Sequence, residues 1–485
     1  MELQSRSSLT EWPIGGRMVA VLLSVFVCCG SQARAGEPAH RATLRVATFE
    51  ADVTPPIGSP LCYGFVPPAK SVDDPLSARG IVLLGAGKPI VLCAVDWTGI
   101  RNATQDAWRE ALAKAVGTTA SRVALTTLHQ HDAPGVDGTA DELLQEAGVV
   151  ATMHNLAATR DAIRRSARAA RESVKTARPV THVGQGKAKV ERVASSRRVF
   201  GPDGRVQHVR YSACRDPEIR AAPEGVIDQD VRLLSLWNGD EPLAVLSYYA
   251  THPQSYYGRG GVSADFVGLA RTQWENEVPD VPHIHFNGAG GDIAAGKYND
   301  GSEENRPALA SRLAAGMRAA WESTKRVPLQ PADVHWHTRR VLLPLKTSMQ
   351  ADAISAVLHN PQASDRQRFG AALKLSWMER VAAKQPIDVS CLRLGPACVL
   401  HLPGELFVEY QLAAQQMQPE MFVCLAAYCD NGPGYIGTRE AYAQGGYEVG
   451  QWSYTAPEVE DVLMGAMRSL LQEAAGEPAM NDETP

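Results

Sequence analysis

Apolar and polar positions change rhythm along this chain in a regular way. Residues 43–53 alternate with the period of two that marks a half-buried strand, and the alternation ends in Thr54-Pro55-Pro56-Ile57-Gly58, a turn that neither helix nor sheet can absorb. Apolar runs at 78–84, 89–95 and 123–128 predict further strands, and the helical spacing of 104–116 lies between the last two. A strand, helix, strand unit follows from that order. Helices are also predicted over 154–174, 265–278, 307–324, 365–383 and 457–474, separated by strand candidates at 231–237, 243–249 and 283–286. Residues 179–211 read as short alternating strands around a Pro202-Asp203-Gly204 turn, a hairpin excursion from the main body. The fold class is therefore α/β in mixed α+β layers. No internal repeat is evident, and no linker divides 45–475, so one large domain is expected.

The N-terminus departs from this pattern. Arg17 precedes an apolar run at 18–29, too short to span a bilayer as a mature helix, and Ala33-Arg34-Ala35 follows. These residues read as a secretory signal over 1–35, cleaved after Ala35, with an uncleaved anchor as the alternative. A leader at 36–44 precedes the domain, and an acidic tail at 476–485 follows it. The chain is expected to be exported, periplasmic or extracellular, with no transmembrane segment in its mature form.

Composition narrows the class. A net charge of -5 over 485 residues, with both signs interleaved, provides no basic stripe for nucleic acid. The densest basic run, 160–171, alternates with alanine at helical spacing and reads as a solvated helix face. Seven cysteines lie beyond the signal segment, at 62, 93, 214, 391, 398, 424 and 429. Most sit where small buried hydrophobes belong, although Cys391 with Cys398 or Cys424 with Cys429 would also suit a bridge.

Candidate chemistry clusters where strands run out. Thr127-Leu128-His129-Gln130-His131-Asp132 places two imidazoles two residues apart at the end of an apolar strand. Period-two geometry would put both rings on one face, and Asp132 could orient a ring nitrogen. His252, in Ala250-Thr251-His252-Pro253, repeats the context. Glu405, in Pro403-Gly404-Glu405, follows a strand and opens a helical run to 416, where compensation of the helix dipole is the plain explanation. The run Asn287-Gly288-Ala289-Gly290-Gly291-Asp292 follows a strand, and its glycines suit close approach of backbone to a ligand. Gly291 to Lys297 has phosphate-loop spacing, but Tyr298 stands where a Ser or Thr must hold magnesium, so nucleotide binding is not expected.

Taken in order, these segments resemble the N-terminal catalytic domain of the neutral, non-lysosomal ceramidase family. The resemblance covers roughly 51–467 and rests on Asp52-Val53-Thr54-Pro55-Pro56-Ile57-Gly58, Thr127-Leu128-His129-Gln130-His131, Ala250-Thr251-His252-Pro253, Ser263-Ala264-Asp265, Gly291-Asp292, Pro403-Gly404-Glu405 and 435–448. The family's C-terminal immunoglobulin-like domain is expected to be absent. The resemblance implies a single zinc hydrolase domain with His129, His252, Glu405 and Tyr435 as ligands of Zn2+. It implies a water made acidic by the metal as nucleophile, His131 handling protons, and Tyr447 and Arg197 stabilising the oxyanion. Asn287, Gly291 and Asp292 are the expected substrate contacts, and the substrate is a small molecule or lipid with an N-acyl amide bond. The family serine in Gly-Asp-Val-Ser-Pro-Asn is Ala294 here, which keeps two alternatives open: an esterase or lactonase on the same site, or a ligand-binding relative without catalysis.

Overall fold

In the computed structural model, which describes residues 43–476, the first alternating segment forms β1 (Arg45–Asp52). The signal segment with Cys28 and Cys29, residues 36–42 of the leader and the tail from 477 lie outside the described residues. β1 pairs antiparallel with β2 (Ser77–Leu84), which pairs antiparallel with β3 (Ile90–Val95). α1 (Asn102–Val116) then carries the chain across to β4 (Val123–Thr127), parallel to β3. β3 and β4 are buried at every position, which is why they read as unbroken apolar runs rather than alternations. α2 (Leu156–Ser173) packs on β1, and a short strand at Arg178–Pro179 closes the sheet beyond it. The buried residues of α2 are Thr159, Ala162, Ser166 and Ala170, so the basic run lies on its solvated face, as its spacing predicts.

The same order then recurs twice. The second sheet contains β5 (His182–Lys189), β6 (Asp230–Asn238) and β7 (Glu241–Tyr249), then α3 (Asp265–Glu277) and β8 (His283–Asn287). The third contains β9 (Val334–Val341), β10 (Ile387–Leu394) and β11 (Ala397–His401), then α4 (Val408–Met417) and β12 (Phe422–Ala426). In each sheet three antiparallel strands lead through a helix into a fourth strand parallel to the third, giving the spatial order fourth, third, second, first. In each, a later helix packs on the first strand: α2, Asn305–Glu322 and Val459–Ala475 respectively. The domain is thus a threefold structural repeat, a correction to the reading that no repeat exists. Residues 182–189 are likewise the first strand of the second sheet, not part of a hairpin excursion. The hairpin itself is confined to Arg198–Phe200 and Val206–Val209 around the 202–204 turn.

The three fourth strands meet at the centre. Thr127 N donates to Tyr428 O at 3.2 Å and Ala427 N to Asn287 O at 3.0 Å. Asn287 Nδ2 donates to Leu128 O at 3.3 Å. The carboxyl ends of all three parallel pairs therefore open into one region, the place where ligand sites form in α/β sheets. Aspartates brace this region between repeats: Asp292 accepts from Val408 N at the start of α4 (2.9 Å), and Asp430 from Asn102 N at the start of α1 (3.2 Å). All seven described cysteines are free and buried, so neither candidate bridge forms. Among the described residues no helix is long and apolar enough to cross a membrane.

Candidate metal centre

Each of the three repeats sends side chains into the central region. His129 follows β4 in the first repeat, His252 follows β7 in the second, and Glu405 and Tyr435 follow β11 and β12 in the third. Glu405 is not in a helical turn: it sits in a two-residue strand, Glu405–Leu406, paired in parallel with Tyr435–Ile436, and directly opposite Tyr435. The helix begins only at Val408. Dipole compensation therefore does not account for this carboxylate. Gly291 makes the approach of the second repeat to this strand feasible, because a Cβ there would stand 2.2 Å from the Glu405 carbonyl oxygen. What the glycine admits is neighbouring backbone.

His129 and His252 are both buried and both fixed by backbone carbonyls. His129 Nδ1 lies 2.7 Å from Thr98 O, and His252 Nδ1 lies 2.5 Å from Gly290 O and 3.1 Å from Ile293 O. Carbonyls only accept, so each Nδ1 carries a proton and each Nε2 is the ring nitrogen turned to the centre. Both Nε2 atoms converge on one oxygen: Glu405 Oε2 is 3.2 Å from His129 Nε2 and 3.3 Å from His252 Nε2. Burial pushes the Glu405 carboxyl up, yet His129 and His252 outweigh it and hold the group well below the usual carboxylate range. Burial and the nearby Arg197 bring His252 down to about 4, so its imidazole is neutral at ordinary pH. The ligand atoms of His129, His252 and Glu405 lie within 4.8 Å of one another. A buried carboxylate and two imidazoles whose ring orientation is fixed by backbone carbonyls could hold a metal ion.

Tyr435 completes the fourth side. Its hydroxyl is 3.1 Å from His252 Nε2 and accepts from Arg197 Nη1 at 2.9 Å. Burial raises the phenol pKa and the guanidinium opposes that rise. Arg197 is itself buried, with Glu448 3.6 Å from its Nε and the rings of Tyr447 and Tyr435 5.3 and 5.7 Å from its guanidinium carbon. The Tyr447 and Tyr435 rings are 6.0 Å apart. His131, half-buried, meets His129 edge to face at 5.2 Å. Strand periodicity does not set that contact, since β4 ends at Thr127 and His129 adopts a left-handed backbone with φ 74°. Asp132 does not orient either ring. Its carboxylate accepts from Gly258 N at 2.8 Å and faces Arg306 at 3.4 Å.

Residues 50–298, half of the chain, match the family described as neutral/alkaline non-lysosomal ceramidase, N-terminal. The chain belongs to that family. Among solved structures, the neutral ceramidase from Pseudomonas aeruginosa is 15% identical, with a TM-score of 0.65, over 91% of this chain and 76% of that one. A ceramidase complexed with C2 is 17% identical, with the same TM-score, over 91% of this chain and 77% of that one. At such identity the likeness is one of fold. No curated protein matches the chain.

Asn287 lies at the centre of the fold with its Oδ1 buried and without a partner. Asp292 is occupied in bracing α4, and burial, with Glu409 nearby, raises its pKa well above the usual range. Ala294 is fully buried opposite Ser195, whose hydroxyl donates to the Ala294 carbonyl at 2.8 Å. Lys297 caps the Arg220 and Ala222 carbonyls, so its ammonium is already engaged away from any phosphate loop. Sequence reasoning missed Tyr428, stacked on His129 at 4.9 Å, and Tyr257, edge to face with His131 at 4.6 Å. Tyr428 had one available signal: like His129, it stands two residues past the end of a fourth strand.

Proposed function

We propose that the chain is a zinc-dependent amidohydrolase that cuts an N-acyl bond, exported from the cytoplasm after loss of residues 1–35. The observation that carries this reading is the convergence of His129 Nε2 and His252 Nε2 on one oxygen of a buried, ionised Glu405. This donor set suits zinc: two nitrogens and a carboxylate oxygen would hold the ion, with the Tyr435 hydroxyl beside them as a fourth donor. Zinc bound there supplies Lewis acidity and a water whose pKa falls to about 7.

The chain's own residues supply the rest. Thr98 and Gly290 hold the two imidazoles in the tautomer that leaves Nε2 free. His131, beside His129 but outside the carboxylate cluster, takes the proton from the attacking water at a ring nitrogen and returns it to the departing amine. Burial, with His129 next in importance, pulls the pKa of His131 well down, which keeps it an acceptor before attack. Arg197 Nη1 and the Tyr447 hydroxyl donate toward the carbonyl oxygen as charge develops on it, in a site that excludes most water. The test is a panel of N-acyl amides and matching esters, assayed with and without chelator. Chelator-sensitive cleavage of amides is expected. Preference for esters would make the chain an esterase on the same residues, and activity untouched by metal removal would refute the mechanism.

A further inference from the structure

A groove of about 520 Å³ opens beside Tyr447, between the helices Ala351–His359 and Asp365–Ala382. Its walls are hydrocarbon and aromatic: Phe65, Ile354, Val357, Ala371 and Trp452 line it, and Trp452 meets Phe65 edge to face at 5.5 Å. Val357 is 39% exposed there, so apolar surface faces solvent along the groove. Because the Tyr447 ring also stands 6.0 Å from that of Tyr435, one side of the groove borders the metal-ligand cluster.

The charge in this groove is unbalanced. Lys374 lines it, is half-buried, and makes no ion pair or hydrogen bond among the described residues. Burial pulls its ammonium pKa down. Lys346, outside the groove lining, is also lowered, by burial and then by Lys374. Lys346 is satisfied, donating to Val449 O at 2.6 Å and Gly450 O at 2.7 Å. Arg366 is satisfied too, donating to Phe65 O at 2.8 Å and covering that ring at 5.0 Å. No Asp or Glu lines the groove. Lys374 alone among its cations has no partner, and a part-buried ammonium against apolar walls is stabilised by an anion that also brings hydrocarbon.

We propose that this groove is a binding site for a long-chain carboxylate, its chain against the apolar walls and its carboxylate paired with Lys374. A consequence follows that rests on the hydrolase reading: the acid released from an N-acyl bond would be held here more tightly than the uncharged amide, and would inhibit turnover. The binding itself needs no turnover, so its failure leaves that reading standing.

The test is calorimetric binding of laurate and of dodecanol, below their micelle-forming concentrations, to the full chain. Laurate is expected to bind at least about tenfold more tightly than dodecanol. Lys374→Met should abolish that preference while dodecanol binding stays, and Ile354→Glu should weaken both ligands. Equal affinity for laurate and dodecanol, no binding of either, an unchanged preference in Lys374→Met, or undiminished dodecanol binding in Ile354→Glu would each overturn the assignment.

Discussion

Two short parallel strand pairs occupy matching places in the first and third repeats, and their side chains differ completely. In the third repeat Glu405 stands directly across from Tyr435. In the first, Gly99 stands directly across from Gly135. A Cβ on Gly99 would come within 1.9 Å of the Tyr63 hydroxyl, and one on Gly135 within 2.6 Å of the Tyr63 ring. Tyr63 thus fills, in the first repeat, space that side chains of the pair itself fill in the third. The same local scaffold carries a carboxylate and a phenol at the candidate centre in one place and plain packing in another, so the difference lies in the side chains rather than in the fold.

A substitution in each pair separates the two roles. The largest effect is expected from Glu405→Ala, which removes the only carboxylate of the cluster and should abolish both metal retention and turnover, read by metal analysis and amide hydrolysis. His131→Gln sharpens the boundary of the centre: metal content should hold while kcat falls by about 10²–10⁴-fold. Gly135→Ala should leave metal content intact and cost about 1–3 kcal/mol in denaturant unfolding, because the Tyr63 ring has to move. Loss of metal from Gly135→Ala would break the comparison.

The smallest effect is a slope. Burial pushes Asp430, which braces the first repeat, up to about 6. A carboxyl with a raised folded-state pKa binds more protons folded than unfolded, so its contribution to stability is present below about pH 4 and is lost as pH rises to about 6. Asp430→Asn should therefore gain stability relative to the wild type across that interval, measured by urea unfolding at each pH. A pH-independent difference would contradict this.

Most helices were legible because their amphipathic spacing is local: the predicted helix 365–383 is observed as Asp365–Ala382, and 265–278 as Asp265–Glu277. His129 and His252 were legible because each stands just beyond an apolar strand. Glu405 was misplaced into a helix because a two-residue strand has no periodicity to read, and its pairing with Tyr435 spans thirty positions of sequence. The orienting groups of the imidazoles escaped notice for a different reason. Thr98 and Gly290 act through backbone carbonyls, which every residue possesses, while Asp132, the visible carboxylate, is turned toward Gly258 and Arg306. The threefold repeat left no trace in the sequence because it is a repetition of topology. Its equivalent positions hold His129 in one copy and Tyr428 in another, alike in their left-handed backbones, φ 74° and 60°, and unlike in chemistry.

The central claim is that three repeats jointly build one zinc site, and elemental analysis of the purified full chain tests it most directly. One zinc per chain is expected in the wild type, lost in both His129→Ala and His252→Ala with the fold retained. A wild-type chain without stoichiometric zinc, or either variant keeping its full complement, would contradict the account.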